Sequence, residues 1–336
     1  MLKFDLHNDL PQKKLVAIGG GTGLSTVLSG LKKYVGKRID DNFLLSNLSA
    51  IVAVSDDGGS SGRLRDEFNM LPPGDIRNCM VALSEDSQLL SRLFQHRFTG
   101  DGDLGGHSFG NLFLAALSEV TGDFAEAVRL SSEILASKGH IYPATMADVT
   151  LAATLDNGTT AFGETNISKV GRHIKKLHLD PEECLPLPGA INAIAEADLI
   201  TIGPGSLYTS ILPPLLVKGV VDAIANSSAV KVFVCNLMTQ PGETDGLSAL
   251  RHFEIIKEYA PNLSFDHILI NDRPISDSQA AAYHEDGAEQ IGSSKDELSG
   301  IFMDAEIRAE DLLYDGEKVR HDQDKLAAAI LSCLKN

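Results

Sequence analysis

The sequence predicts an α/β protein with a doubly wound, mainly parallel sheet and a helical plus small-β insertion. Three observations predict it. Short apolar runs rich in β-branched residues recur along the chain, a glycine-rich or polar loop follows each, and segments with helical apolar spacing lie between them. Runs with little polar alternation suit strands buried on both faces, which is the habit of parallel sheets covered by crossover helices. Strands alternating with helices place ligands at the carboxyl ends of the strands.

Taken in order, residues 1–13 are polar and predict a loose arm. LVAIG (15–19) and AIVAV (50–54) supply strands of a first half of the core, 14–74. Residues 75–188 predict the insertion. Helical spacing runs through 75–137, and DVTLAATLD and TTAFGETNIS then flank Asn157-Gly158, a favoured hairpin turn. LITIG (199–203), VFVCN (232–236) and ILIN (268–271) supply the second half, 189–336, which closes on an amphipathic helix near 322–334.

At 336 residues with 43% hydrophobic content, the chain can bury a sizeable core. A net charge of −17 argues against a nucleic-acid partner, because duplex binding relies on Lys and Arg neutralising phosphates. A small anionic ligand stays compatible with it, since backbone N–H groups and one or two arginines bind phosphate inside an acidic protein. Cys79, Cys184, Cys235 and Cys333 show no CxxC spacing and predict reduced core thiols in a cytoplasmic protein. No long apolar run and no apolar segment near the amino terminus predict a membrane or secretory role.

The loops carry the chemistry. Gly20, Gly21, Thr22 and Gly23, in GGGTGLST, lie between a strand and a helix, where glycines let the backbone approach phosphate oxygens and the helix N-terminus offers free donors. The spacing is not the GxGxxG dinucleotide fingerprint, and no P-loop lysine follows. In SDDGGSSGRLR, Ser55, Asp56, Asp57, Gly58, Gly59, Ser60, Arg63 and Arg65 follow a core strand. Adjacent acids point different ways, so one of Asp56 and Asp57 would hold Mg²⁺ or a ribose while the other caps the loop; the arginines would meet phosphate. In PPGDIRN, Asp75 is either an N-cap or a ligand contact, and Arg77 faces the first helical turn. GGHSFGN offers His107, Ser108 and Asn111 as a capping loop with a ligand contact, or as an acid/base and nucleophile pair without an identified acid. A second strand–glycine–helix unit, GPGSLYTS, offers Gly203, Gly205, Ser206, Tyr208 and Thr209. NLMTQPGETDG offers Asn236, Thr239, Gln240 and Glu243 at the same rim. Together these loops predict one crevice, with the first and fifth as opposite walls of a phosphate cradle.

The set AIGGGTGLS, VSDDGGSSGRLR, PPGDIRNC, GHSFGNL, IGPGSLYTSI and RHD (320–322) resembles the gluconeogenesis-factor (YvcK-like) branch of the 2-phospho-L-lactate transferase (CofD-like) superfamily, from about Lys14 onward. The resemblance implies a Rossmann-like core, a bacterial cytoplasmic setting and a nucleotide or nucleotide-sugar ligand such as UDP-N-acetylglucosamine, or a dinucleotide such as NAD. It also implies a role in cell shape and envelope precursor supply on gluconeogenic carbon sources. By the same resemblance, Tyr283 and Arg320 match positions implicated in UDP-sugar binding. Two departures stand out. Glycines follow the acid pair and Arg77 stands where the transferase branch often has a second acid; and Gln323 stands where some gluconeogenesis factors carry a phosphorylatable Thr.

Three functions follow. The first is a ligand-sensing regulator acting on a protein partner in amino-sugar synthesis. The second is a Mg²⁺-dependent phosphoryl or nucleotidyl transferase with Asp56 or Asp57 catalytic. The third is an NAD-binding protein or dehydrogenase, against which stand the missing fingerprint and the missing acid about 20 residues on. A homodimer is compatible with all three.

Overall fold

Leu15, Val16, Ala17 and Ile18 are each at most 1% exposed, so the strand that carries them is covered on both faces and flanked on both edges. This strand, β1 (Gln12–Gly19), is the axis of the molecule. The computed structural model describes residues 11–39, 43–85, 88–292 and 305–334. The remaining strands in chain order are β2 (Arg38–Ile39), β3 (Phe43–Val52), β4 (His140–Pro143), β5 (Thr150–Leu155), β6 (Thr160–Phe162), β7 (Ile174–Asp180), β8 (Leu199–Ile202), β9 (Val230–Val234), β10 (His267–Asn271) and β11 (Glu306–Glu310).

The main sheet runs β11-β10-β9-β8-β1-β3. On the far edge of β3, β4 pairs parallel at Ser49–Val52 and β2 pairs antiparallel at Phe43 and Leu44. All other pairs in this sheet are parallel; Ile18 stands opposite Ile51 on one side and Ile202 on the other. The chain winds outward from β1 through β3 to β4, returns to the opposite side of β1 as β8, and winds outward again. The reversal between β1 and β8 is a topological switch point, where the loops at the carboxyl strand ends splay apart and leave a crevice.

The doubly wound core is as the apolar runs predict, with three differences. β1 already begins at Gln12, inside the stretch expected to be a loose arm; residues 1–10 lie outside the described residues. The stretch 75–188 is not wholly an insertion, because β4 within it joins the main sheet. Its helical part consists of Gly74–Leu83, Gln88–Gln95, Phe109–Thr121 and Phe124–Ile134. The small β unit has three antiparallel strands, β6-β5-β7. Asn157-Gly158 makes the expected turn, with Asn157 Oδ1 accepting from the Thr159 amide at 3.0 Å. Beyond β6, however, the segment expected to extend the hairpin becomes the short helix Glu164–Lys169.

The closing helix Gln323–Ser332 packs against the first helix, Gly21–Leu31, so closely that a Cβ on Gly30 would lie 2.0 Å from the Gln323 carbonyl oxygen. All four cysteines are buried and free. Among the described residues no single helix is long and apolar enough to cross a membrane.

Candidate functional site

At the switch point the loops after β1 and β8 touch. A Cβ on Gly23 would lie 2.2 Å from the Pro204 carbonyl oxygen, so only glycine permits this approach. The helix Gly21–Leu31 starts here without a side-chain cap. In its first turn the amides of Thr22 and Gly23 have no intrahelical acceptor, and the helix dipole adds partial positive charge. Asn236, just past β9, grips the opposite loop. Its Oδ1 accepts from the Gly205 amide at 3.0 Å and its Nδ2 donates to the Gly205 carbonyl at 2.6 Å. A third wall comes from the far end of the chain, Val319, Arg320 and His321. The resulting crevice has a volume of about 380 Å³.

Of the residues singled out in the sequence, Gly20, Gly21, Thr22, Gly23, Gly205, Ser206, Asn236, Gln240 and Arg320 line this space. Thr26, Glu164, Leu237, Met238, Val319 and His321 line it too and were not singled out as ligand-binding. Glu164 had a faint signal: its Gly-Glu-Thr context follows a strand, as the other site loops do. His321 adjoins Arg320 in the RHD motif. Burial pushes the His321 imidazole down to about 4, so its ring is neutral, and its Nε2 is buried without a partner.

A group of carboxylates stands around the crevice. Asp75 does not cap its own helix, whose N-cap is Pro73; its Oδ2 instead accepts from the Gly21 amide at 2.7 Å, across the crevice floor. Burial raises the Asp75 carboxyl to about 6, against the pull of that hydrogen bond, and the Asp56 charge adds to the rise. Glu164 is pushed up to about 9 by burial and by the Asp56, Asp75 and Glu243 carboxylates. Glu243 is raised by burial while accepting from Ser168 Oγ at 2.8 Å. At neutral pH, then, Glu164 is a hydrogen-bond donor. Anionic oxygens near it meet a proton, not a second negative charge.

The acid pair splits in role. Asp57 Oδ1 accepts from the Thr165 amide and hydroxyl at 2.9 and 2.8 Å, which caps the helix Glu164–Lys169 from a distant loop. Gly163 leaves room for this: a Cβ there would lie 1.9 Å from Asp57 Oδ2. Asp56 Oδ1 accepts from the Gly58 amide at 2.8 Å, ahead of the helix Gly59–Phe68. Its Oδ2 faces the start of the helix Gly74–Leu83, toward Asp75. Among the described residues no group of three or more His, Cys, Asp or Glu has the arrangement of a metal cage. Mg²⁺ commonly uses one or two carboxylates plus substrate phosphates. Among the described residues each acid commits its Oδ1 and leaves Oδ2 without a hydrogen-bond partner; Asp56 Oδ2, which faces Asp75, fits that pattern, whereas Asp57 Oδ2 is turned against the Gly163 backbone.

Several residues expected at the crevice lie elsewhere. Arg65 pairs with Asp148 and donates to Thr150 Oγ1, tying its helix to β5. Tyr208 is 3% exposed in the core, and Thr209 beside it donates toward Glu243 at 3.4 Å. Gly203 continues the ladder by donating to the Ile18 carbonyl at 3.1 Å. Thr239 Oγ1 accepts from the Glu289 amide at 2.9 Å, a backbone fastening. The Tyr283 hydroxyl accepts from the Val319 amide at 3.0 Å, so it holds the third wall from behind. Ser55, 1% exposed, has an unpartnered hydroxyl. Ser108 caps the helix Phe109–Thr121 and is fully buried. Ser60, His107 and Asn111 form a separate buried group: Ser60 Oγ lies 3.0 Å from His107 Nδ1 and accepts from Asn111 Nδ2 at 3.1 Å. Arg63 and Arg77 lie beside that group.

The model of the family "2-phospho-L-lactate transferase CofD" matches residues 15–313. A gluconeogenesis factor of Halalkalibacterium halodurans is 43% identical over 322 residues, covering 96% of this chain and 97% of its own. The gluconeogenesis factor of Bacillus subtilis is 44% identical over 325 residues, covering 96% of this chain and 99% of its own. A crystal structure of a UPF0052 family member from Bacillus halodurans superposes with a TM-score of 0.89 at 42% identity, covering 96% of this chain and all of that one.

Proposed function

The chain belongs to the 2-phospho-L-lactate transferase CofD family, and from that premise we propose that it is a cytoplasmic nucleotide-sugar-binding regulator of the gluconeogenesis-factor kind. Its ligand is UDP-N-acetylglucosamine or a close relative, and the bound state adjusts envelope precursor supply and cell shape on gluconeogenic carbon sources. The observation that carries this reading is the contact of Gly23 with Pro204 at the switch point. It brings first-turn helix amides up to one side of a crevice that Gly205 and Ser206 face from the other, which suits a diphosphate. Arg320, exposed on the third wall, supplies a cation toward the outer phosphate or sugar. The protonated Glu164 supplies a donor to a sugar or phosphate oxygen. Calorimetry with UDP-N-acetylglucosamine tests the reading. Saturable heat that disappears in Arg320→Ala supports it, and no heat at millimolar ligand refutes it.

Asp56 favours a second reading, a Mg²⁺-dependent phosphoryl or nucleotidyl transferase. Mg²⁺ held by Asp56 and the substrate phosphates would neutralise charge on the transferred group. In that case Asp56→Asn abolishes metal-dependent release of a nucleoside phosphate while nucleotide affinity without metal stays within about twofold. Unchanged release in that variant removes the transferase reading.

A further inference from the structure

Arg63 and Arg97 converge on one turn outside the crevice lining, and Arg77 lies beside it. Arg63 donates from Nη2 to the Gly105 carbonyl at 2.7 Å, and Arg97 donates to the Gly106 carbonyl. Arg77 packs its stem against Gly110, where a Cβ would lie 2.8 Å from its Cγ and Cδ; its Nη2 donates to Asn78 Oδ1 at 2.6 Å, and Asp75 is the carboxylate whose charge it feels. A Cβ on Gly106 would in turn lie 3.2 Å from Arg63 Nη2. None of the three has a carboxylate within ion-pair distance among the described residues, in a chain with 46 acidic and 29 basic residues. Elsewhere arginines find acids readily: Arg65 has Asp148, and Arg129 has Glu126 and Glu133.

The cluster is also electrostatically incomplete. Burial and then the Arg97 charge hold the Arg77 guanidinium below its usual range, and Arg77 Nε is buried without a partner. His107 sits among them, lowered by burial and by Arg63 and Arg97, with Glu67 the one carboxylate opposing that shift. Asp101 and Asp103, on the adjoining exposed turn, pair with none of the three arginines. Guanidinium forks bind carboxylate and phosphate by paired charge-assisted hydrogen bonds, and the higher charge and extra oxygens of phosphate suit a cluster of three.

We infer that Arg63, Arg77 and Arg97 form an anion seat, distinct from the glycine crevice, that takes the phosphate group of a small phosphorylated compound. The seat and the crevice share one beam. Asp75 of the helix Gly74–Leu83 holds Gly21, and Arg77 of the same helix lies against Gly110, next to the seat. The phosphate is either the distal group of the crevice ligand or belongs to a separate molecule.

Side-chain Nε–H resonances of the arginines, followed by NMR during titration with inorganic phosphate, test the seat. Saturable shifts of Arg63, Arg77 and Arg97, weakened about tenfold in Arg97→Gln and partly restored in Arg97→Lys, are expected. Arg97 is exposed, so its replacement leaves folding intact. Shifts no larger than those of Arg129, or an Arg97→Gln titration identical to the parent, overturn the proposal. Repeating the titration with uridine diphosphate present identifies the source. Persisting shifts assign a separate molecule; arginine shifts caused by uridine diphosphate itself, with no further response to phosphate, assign the distal group. Failure of the crevice reading is seen independently, as no response of the Gly21 and Gly23 amides to uridine diphosphate.

Discussion

The crevice and the arginine turn both suit anions, yet they are made of opposite materials. The crevice presents backbone amides and a helix N-terminus, and stands among carboxylates, of which Glu164 keeps its proton at neutral pH. The arginine turn presents side-chain charges that donate to backbone carbonyls and form no ion pair with a carboxylate among the described residues. The difference explains how a chain of net charge −17 can suit anions at two places. A backbone site depends on close packing and tolerates an acidic neighbour, Glu164, that stays protonated. A side-chain site depends on which charges are left out. Substitutions that disturb packing therefore break the first and spare the second.

The largest expected effect is from Gly23→Ala. Its Cβ collides with the Pro204 carbonyl, and because backbone meets backbone, relief requires moving one wall. Denaturant unfolding is expected to show a loss of about 1–3 kcal/mol. Binding of uridine diphosphate should fall below calorimetric detection while the phosphate response of the arginines is kept. Unchanged binding would remove the crevice as a nucleotide site. Next is Asn236→Ala, which leaves the Gly205 amide and carbonyl without their partners. A loss of about 1–3 kcal/mol is expected in the same measurement, with weaker uridine diphosphate binding.

The pH dependence sharpens the comparison. Asp75 and Glu164 have folded values near 6 and 9, raised from 3.8 and 4.5. The folded state thus binds their protons more tightly than the unfolded chain does. Their contribution to stability is complete below the unfolded values and is lost as pH rises through about 6 and then about 9. Melting temperature and uridine diphosphate affinity should both decline across that window, and Glu164→Gln should flatten the alkaline part. A parent and variant with parallel profiles would contradict the protonated Glu164. The smallest effect is from Tyr283→Phe, which removes the acceptor of the Val319 amide. A change of about 0.5–1.5 kcal/mol, or roughly twofold to twelvefold in UDP-N-acetylglucosamine affinity, is expected by calorimetry.

The sequence made the backbone site legible and left the side-chain partners obscure, for physical reasons. LVAIG, LITIG and ILIN mark β1, β8 and β10 because central parallel strands are apolar throughout. β11, EIRAE, lies at the sheet edge and alternates too weakly to stand out. β4 was missed because only four residues of it pair, within a stretch dominated by helices. Glycines at 20, 21, 23 and 205 flagged the crevice directly, since close backbone approach leaves a residue-type signature. Charged residues carry no such mark. Arg65 and Arg63 stand two apart in one glycine-rich segment, and only the fold sends one to Asp148 and the other to Gly105. Glu164 reaches the crevice through a hairpin unit whose placement over the strand ends is a tertiary fact. The resemblance supplied Tyr283 and Arg320, whose side chains act from behind and within the third wall.

That third wall sets a timetable for the nascent protein. Gly20–Gly23 are made about 300 residues before Val319–His321, which close the same space. At ~5–20 residues per second this is an interval on the order of 15–60 s. The central strand β1 likewise waits for β8, made only after β3 and the whole of 75–188. Until the last segment arrives, the glycine loops stand exposed to solvent without Arg320 or His321 beside them. A ligand that needs all three walls therefore meets its complete site only after Val319–His321 have been made.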